Sequence, residues 1–254
     1  MDDNVRELVL GLVAAAITAA AGWFARTCVW RRKLHRQQRF FGLPAHSGCL
    51  LVVNHDPATD ESAVARNDVF ALLELSALVK DCGARMEVVA HDAARRGFGE
   101  HTEFCLGGPG SNERTAAHME MLLPGVAVNT DAEPGPGQAA FTVGGERYRM
   151  EKGSVEYVLL ARLTGASSPV GGTRGERGDS EAVRPVFLIC GQRSLTNQAA
   201  ARYLARHHVR LARRHGPDGD FCLLLRVVNS RAYGPDVVEL VADVTREASA
   251  SPAR

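Results

Sequence analysis

The chain has 254 residues, of which 45% are hydrophobic, and a formal net charge of +1 at pH 7. This length accommodates one α/β domain of about 200 residues together with terminal segments. A net charge so close to zero gives no indication of a nucleic acid or another strongly acidic partner, and none is expected.

Residues 8–25 are a run of 18 residues without a charged side chain. As a helix this run would span roughly 27 Å, close to the thickness of a bilayer core. A cleaved signal peptide would have a basic start, whereas Asp2, Asp3 and Glu7 precede the run with a single Arg6. A buried soluble helix is the other alternative, since the run is alanine-rich and only just long enough. We expect a transmembrane anchor over residues 1–28.

The flanks of the apolar run predict its orientation. Trp23 and Trp30 suit a membrane interface, and six basic residues follow the run at once: Arg26, Arg31, Arg32, Lys33, Arg36 and Arg39. By the positive-inside rule the C-terminal domain is expected in the cytoplasm, on a single-pass protein of the cell membrane. Residues 29–47 are predicted to be a basic juxtamembrane segment, which either contacts anionic lipid head groups or only fixes the topology.

Residues 48–246 alternate between short apolar runs and helical patterns, which predicts an α/β domain. We expect strands at 48–53, 85–90, 103–106, 125–129, 140–143, 146–150, 186–190, 221–228 and 236–244, and helices within 62–82, 112–123 and 196–215. Residues 155–163 are either a strand or a short helix, and Val155, Tyr157 and Val158 favour a strand. The order strand, helix, strand at 48–90 predicts a parallel crossover. The predicted fold is therefore an N-terminal transmembrane helix followed by a Rossmann-like, mostly parallel sheet with an antiparallel edge hairpin at 221–244.

Two further segments lack a core pattern, and the cysteines have no metal spacing. Residues 165–184 are rich in glycine and serine and predict a flexible surface loop, and residues 247–254 predict a disordered tail. The six cysteines show no CxxC or Cys/His spacing. Cys49, Cys105, Cys190 and Cys222 fall in or beside apolar runs, so we expect buried, reduced thiols.

Two stretches, 103–119 and 187–203, share one pattern: an apolar strand with a cysteine, a glycine turn, and a polar helix start. Free backbone N–H groups and the helix dipole make such a turn suited to an anion. Polar residues also follow the strand at 48–53. The predicted ligand-binding residues are Gly107, Gly108, Ser111, Asn112, Thr115, Gly191, Gln192, Arg193, Thr196, Asn197, Asn54 and Asp56. Ordinary helix capping explains the same residue types.

The motifs of established nucleotide sites and catalytic triads are missing. Neither turn has the Gly-Lys-Ser/Thr ending of a P-loop or the GxGxxG fingerprint, and no histidines stand at metal spacing. Glu151 and Glu156 are candidate acid or base groups, although exposed strand carboxylates explain them equally well. The arginines and histidines at 202–214 predict a solvated helix face, with contact to a membrane or to nucleic acid as the alternative. No cofactor and no metal is indicated.

Several motifs together resemble an actinobacterial family of single-pass membrane proteins of uncharacterised activity. The similarity runs through FGLP at 41–44, the helix at 65–84, FCLGGP at 104–109, FTVGGERYRMEKG at 141–153 and FLICGQRSLTNQAAARYLA at 187–205. It covers most of the chain after the anchor. The resemblance implies the membrane-anchored α/β architecture and implies no particular reaction.

Three functions are open at this point. The first is a membrane-tethered sensor or binding module for a nucleotide or similar anion at the paired glycine turns. The second is an enzyme acting on a nucleotide or nucleoside in the same cleft, with Asp56, Asp92 or Glu151 as acid or base. The third is a structural or partner-binding membrane protein without a small ligand.

Overall fold

The computed structural model describes residues 3–55, 63–93, 99–130, 137–164 and 184–251. Asp56 and all of the predicted loop at 165–184 except its last residue lie outside these ranges. The elements in chain order are α1 Asp3–Phe41, β1 Gly48–Val53, α2 Arg66–Asp81, β2 Arg85–Ala90, β3 Thr102–Leu106, α3 Glu113–Leu122, β4 Val126–Val128, β5 Phe141–Val143, β6 Glu146–Tyr148, β7 Val155–Leu163, β8 Val186–Gly191, α4 Ser194–His215, β9 Phe221–Val228, α5 Ser230–Tyr233, β10 Val238–Asp243 and α6 Thr245–Ser249.

Seven strands form the main sheet in the order β10-β9-β7-β8-β3-β1-β2. β2, β1, β3 and β8 are parallel neighbours, and β7, β9 and β10 follow with antiparallel pairings. Five of the seven strands therefore run in one direction. The predicted mixed α/β fold with a mostly parallel sheet is confirmed, as is the antiparallel edge hairpin of β9 and β10.

Two apolar layers cover the sheet, one on each face. α2, α4 and the end of α1 pack on one face through residues such as Leu75, Leu204 and Phe41. α3, α6 and a second sheet of three strands, β4-β5-β6, pack on the other. The central strands are covered on both faces, which explains why they read as continuous apolar runs. The cysteines of β1, β3, β8 and β9 are free and buried in these layers, as predicted.

The end of α1 is part of the domain core. The helix continues through the basic segment to Phe41, and Phe40, Phe41 and Leu43 are fully buried. Gln38 Nε2 donates to the carbonyl of Cys82 at 2.8 Å, and Arg162 Nε donates to the carbonyl of Phe40 at 2.9 Å. Residues 38–43, within the predicted juxtamembrane segment, therefore join α1 to the domain core through tertiary contacts.

The first half of α1 has no partner within the described residues. Leu10 is 60% exposed and Trp23 is 70% exposed. By length and composition, residues 10–41 contain a helix that is able to cross a membrane, and its apolar window is not buried in the protein. A signal sequence meets the same criterion of length and composition.

The C-terminal region is more ordered than the sequence predicts. Residues 247–249 were expected in a disordered tail, but they belong to α6, and Ala248 is fully buried. The carbonyl of Ala248 accepts a hydrogen bond from Gly125 N at 2.9 Å. This segment has no apolar run in its sequence, so nothing local predicted a helix there. Ala248 alone packs it into the core beside β4. The prediction of disorder at residues 247–249 is therefore wrong.

Candidate functional site

The two glycine turns lie side by side at the same end of the sheet. β3 and β8 are parallel neighbours, and Gly107 N donates to the carbonyl of Ile189 at 2.9 Å. A Cβ placed on Gly108 would lie 3.9 Å from the carbonyl oxygen of Gly191. α3 then packs on one face of the sheet and α4 on the other. When the helices that follow two adjacent parallel strands pack on opposite faces of an open sheet, a crevice forms beyond the carboxyl ends of those strands.

Two of these glycines are required by close packing. A Cβ on Gly191 would lie 2.3 Å from Thr196 Oγ1, because the first turn of α4 folds back onto the strand end. Gly107 has a φ of +104°, and a Cβ there would lie 2.7 Å from the Cβ of Asn54. Gly108 is different, since its nearest neighbour would be Cys190 Sγ at an ordinary 3.6 Å. Packing therefore explains Gly107 and Gly191 but does not require glycine at 108.

A buried carboxylate ties three strand and helix ends together. Asp68, in the first turn of α2, is fully buried. It accepts hydrogen bonds from Asn54 Nδ2 at 3.1 Å and Asn197 Nδ2 at 2.8 Å. Asn197 Oδ1 in turn accepts from Gly191 N at 2.8 Å. Asn54 and Asn197, both predicted ligand residues, therefore brace the end of the sheet. The sequence did not single out Asp68, because an acid in a first helical turn is an ordinary feature.

Asn112, Thr115 and Thr196 serve the helix starts. Asn112 Oδ1 accepts from Thr115 N at 3.0 Å, and its Nδ2 donates to the carbonyl of Leu106 at 2.9 Å. Thr196 Oγ1 accepts from Arg193 N at 3.2 Å and donates to the carbonyl of Arg193 at 2.7 Å. These three side chains are buried. They fix where α3 and α4 begin and so position the backbone of both turns.

Gln192 and Arg193 are held by the neighbouring strand β7 and by the end of β6. Gln192 Oε1 accepts from Tyr157 N at 2.8 Å, and its Nε2 donates to the carbonyl of Tyr148 at 3.0 Å. Arg193 Nη1 lies 2.6 Å from Glu156 Oε1, and the Glu156 side chain is fully buried. The interpretation of Glu156 as an exposed strand carboxylate is therefore wrong. The Arg193 side chain is one-third exposed, so the guanidinium is only partly covered by its contact with Glu156.

Backbone donors remain at both turns after these side chains are accounted for. Within the described residues, the N–H groups of Gly108, Ser194 and Leu195 donate to no acceptor. All three residues are half-buried. Ser111 is also half-buried, and its hydroxyl donates to the carbonyl of Gly108 at 3.3 Å. The arrangement offers N–H groups from one turn and from the start of a 22-residue helix.

A histidine pair adjoins the same end of the sheet. His55 Nδ1 and His91 Nε2 are 3.1 Å apart, just beyond β1 and β2. His55 N donates to the carbonyl of Ser111 at 3.2 Å, which links the pair to the first glycine turn. Both histidines follow predicted strands, at 48–53 and 85–90, but their contact depends on the pairing of β1 with β2.

A second polar cluster, under α3, is an internal ion pair. Glu103, Cys105 and His118 are buried and offer ligand atoms within 4.8 Å of one another. Arg114 Nη2, however, lies 2.5 Å from Glu103 Oε1, and His118 Nε2 lies 3.0 Å from Glu103 Oε2. Burial raises the pKa of Cys105 well above its usual value, which keeps the thiol protonated. A bound cation would compete with the Arg114 guanidinium for the same carboxylate.

No protein-family model matches the chain, and no curated protein matches it. The site is therefore interpreted from its own geometry. Of the predicted ligand residues, Asp56 lies outside the described residues, and the other eleven gather at the carboxyl ends of β1, β3 and β8 or in the helix starts that follow.

Proposed function

We propose that the protein is a membrane-anchored binding module whose Rossmann-like domain takes a nucleotide or a similar small anion at the strand-end crevice. The observation that carries the proposal is the adjacency of Gly108 and Gly191 beside unused backbone donors. An anion there would receive hydrogen bonds from Gly108 N and from the first turn of α4, and it would lie at the positive end of that helix.

The surrounding side chains support this role by fixing the backbone. The hydrogen bonds of Asp68 hold Asn54 and Asn197, and Thr196 holds the first turn of α4. A site whose donors are already in place loses little conformational entropy when a ligand binds. Arg193 adds a positive charge at the mouth of the crevice, although Glu156 already neutralises part of it.

Ligand screening tests the crevice directly. We expect at least one nucleotide to stabilise the full chain, since a ligand at roughly 100 times its Kd adds about 2.7 kcal/mol to the free energy of unfolding. Thermal unfolding with a panel of nucleotides measures this shift. The Gly108→Ala variant would lose the shift, because a methyl group would stand between Gly108 N and the ligand while its contacts with the protein stay ordinary.

Gly110→Ala is the matched control. A Cβ at Gly110 would contact the side chain of Thr130 at 3.5 Å, away from Gly191, so this variant is expected to keep the wild-type shift. Absence of stabilisation by every nucleotide, with folded protein, would contradict the proposal. Equal stabilisation of Gly108→Ala and wild type would contradict the assigned location.

The membrane part of the proposal rests on the exposed apolar half of α1 and the basic residues that follow it. With the positive-inside rule, these features favour a cytoplasmic domain. In sealed right-side-out vesicles, protease added outside should leave the domain intact, and in inverted vesicles it should reach the domain. The opposite pattern would contradict the orientation, and recovery of the chain in the soluble fraction would contradict the anchor.

A further inference from the structure

A cavity of about 400 Å³ lies along α4, between the second half of that helix and the antiparallel edge of the sheet. α4 contributes Tyr203, His207 and further residues down to His215, while β9 and β10 contribute the opposite wall. The strand-end crevice lies at the start of α4, so the two places are distinct. The volume is within the range of small-molecule sites.

The floor of this cavity is apolar. Leu211 and Leu223 are buried, Val238 is half-buried, and Leu240 is 37% exposed. All four side chains line the same space. β10 is the last strand of the sheet in the described part of the chain, and Leu240 stays partly exposed there. An apolar chain or ring placed on this floor would be removed from water, which is favourable in proportion to the area buried.

The rim of the cavity is cationic, and one of its charges is not neutralised. Of the arginines that line the cavity, Arg214 pairs with Asp243. Arg210, by contrast, forms no ion pair with any described carboxylate. Its Nη2 donates to the Tyr203 hydroxyl at 2.7 Å, and its guanidinium lies over the Tyr203 ring at 5.8 Å. These contacts hold Arg210 in place while leaving its positive charge available.

Two histidines complete the polar part of the wall. Burial lowers the pKa of His207, and the neighbouring charges of Arg210 and Arg206 lower it further. The Nε2 atom of His215 is buried and, among the described residues, has no hydrogen-bond partner, with Asp243 Oδ2 3.9 Å away. The positive charge of Arg210 favours an anionic head group that accepts charge-assisted hydrogen bonds.

We propose that this cavity is a second ligand site, for a small amphipathic anion. Its carboxylate or phosphate would bind Arg210, and its apolar chain would lie on Leu211, Leu223, Val238 and Leu240. Such an anion is supplied either as a free solute or as a lipid of the bilayer. The proposal is independent of the strand-end crevice, because the two sites share no residue.

Methyl NMR of the full chain in phosphatidylcholine nanodiscs tests this site with octanoate as the probe. We expect saturable shifts of the leucine and valine methyl groups that line the cavity. Octanol is the uncharged analogue and lacks the charge-assisted hydrogen bond to Arg210. It should therefore bind at least about tenfold more weakly than octanoate. Arg210→Gln should weaken octanoate binding by a similar factor. Arg213→Gln is the matched control, because Arg213 is exposed on the same helix and does not line the cavity.

The source of the anion is tested with nanodiscs that contain phosphatidylglycerol and no octanoate. Shifts of the same methyl groups, lost in Arg210→Gln, would support the site and identify a lipid source. Octanoate binding without a response to phosphatidylglycerol would support the site and identify a soluble source. Absence of saturable octanoate shifts, or octanoate binding that is equal in Arg210→Gln and wild type, would overturn the proposal.

Discussion

At the scale of single residues, buried charges define the structure on both sides of the sheet. Asp68 is bound by two asparagine amides at the strand ends, and Glu103 is bound by Arg114 and His118 beneath α3. A buried carboxylate is costly unless hydrogen bonds replace its water. The partners come from distant parts of the chain, so each carboxylate reinforces one particular arrangement of the elements.

The Glu103 cluster predicts a pH-dependent contribution to stability. Burial raises the pKa of Glu103, but the hydrogen bonds from His118 and Arg114 and their charges outweigh burial, and the net pKa is below the usual 4.5. A folded-state pKa below the unfolded value means that the contribution is present above the unfolded pKa. It is lost as the pH falls through the folded pKa.

We expect Glu103→Gln to reduce the free energy of unfolding by about 3–5 kcal/mol at pH 7, because Arg114 loses its buried partner. The difference from wild type should shrink as the pH falls below about 4.5. Urea titrations across this range measure it. Glu113→Gln, which changes an exposed carboxylate in the first turn of the same helix, should cost less than about 1 kcal/mol. A difference for Glu103→Gln that stays constant with pH would contradict the ion-pair assignment.

At the scale of elements, the junction of α1 with the domain is the most consequential contact. Phe40 packs against Phe187 and Phe221 with ring centroids 6.1 and 6.2 Å away, and Phe41 lies 5.5 Å from Phe187. These aromatic rings fill the core where β3, β8 and β9 begin. The last turn of α1 therefore supplies a part of the core that the sheet and its other helices do not replace.

Truncation tests this junction. A chain starting at residue 36 keeps Gln38, Phe40 and Phe41 and should fold, whereas a chain starting at residue 48 should not. Amide NMR dispersion and limited proteolysis distinguish the two. Within the longer fragment, Phe40→Ala should reduce the free energy of unfolding by about 3–5 kcal/mol, with the exposed Arg36→Ala as control. A well-folded fragment starting at residue 48 would show that the junction is dispensable.

The sequence predicted the elements well and their arrangement only in part. β1, β2, β7 and β9 have the predicted bounds, because each is a short run bounded by turn residues. The insertion of β7 between β8 and β9 was not predictable, since it depends on pairing between segments far apart in the chain. Gly83, with φ +73°, follows the end of α2 at Asp81, and glycine in this conformation commonly terminates a helix.

The candidate site was predictable in location and not in the role of each side chain. Polar residues after apolar strands indicated one end of the sheet, and the structure brings them together there. Their hydrogen bonds depend on Asp68 and Glu156, whose burial follows from tertiary packing. The cavity beside α4 could not be predicted from any local sequence pattern. Leu211 and Leu240 are ordinary apolar residues, and only the fold places Leu240 close to Arg210.

At the scale of the whole molecule, the proposed membrane anchor and the crevice lie at opposite ends of the sheet. Thr102 Oγ1, at the start of β3, donates to the carbonyl of Phe41 at 3.1 Å, while the glycine turn follows the end of β3. α1 has 39 residues and as a continuous helix is about 58 Å long. A helix that crosses the bilayer would hold the domain beyond the head groups with the crevice facing away. We therefore expect the crevice to bind ligands that are dissolved in the aqueous phase.

The most direct test of the proposed crevice is amide NMR of the isotope-labelled full chain during titration with the nucleotide that stabilises it best. We expect saturable shifts that are largest at Gly108, Ser194 and Leu195, with one shared Kd, and loss of all three in Gly108→Ala. Saturable shifts confined to other parts of the chain, with these three amides unmoved, would contradict the proposed binding site.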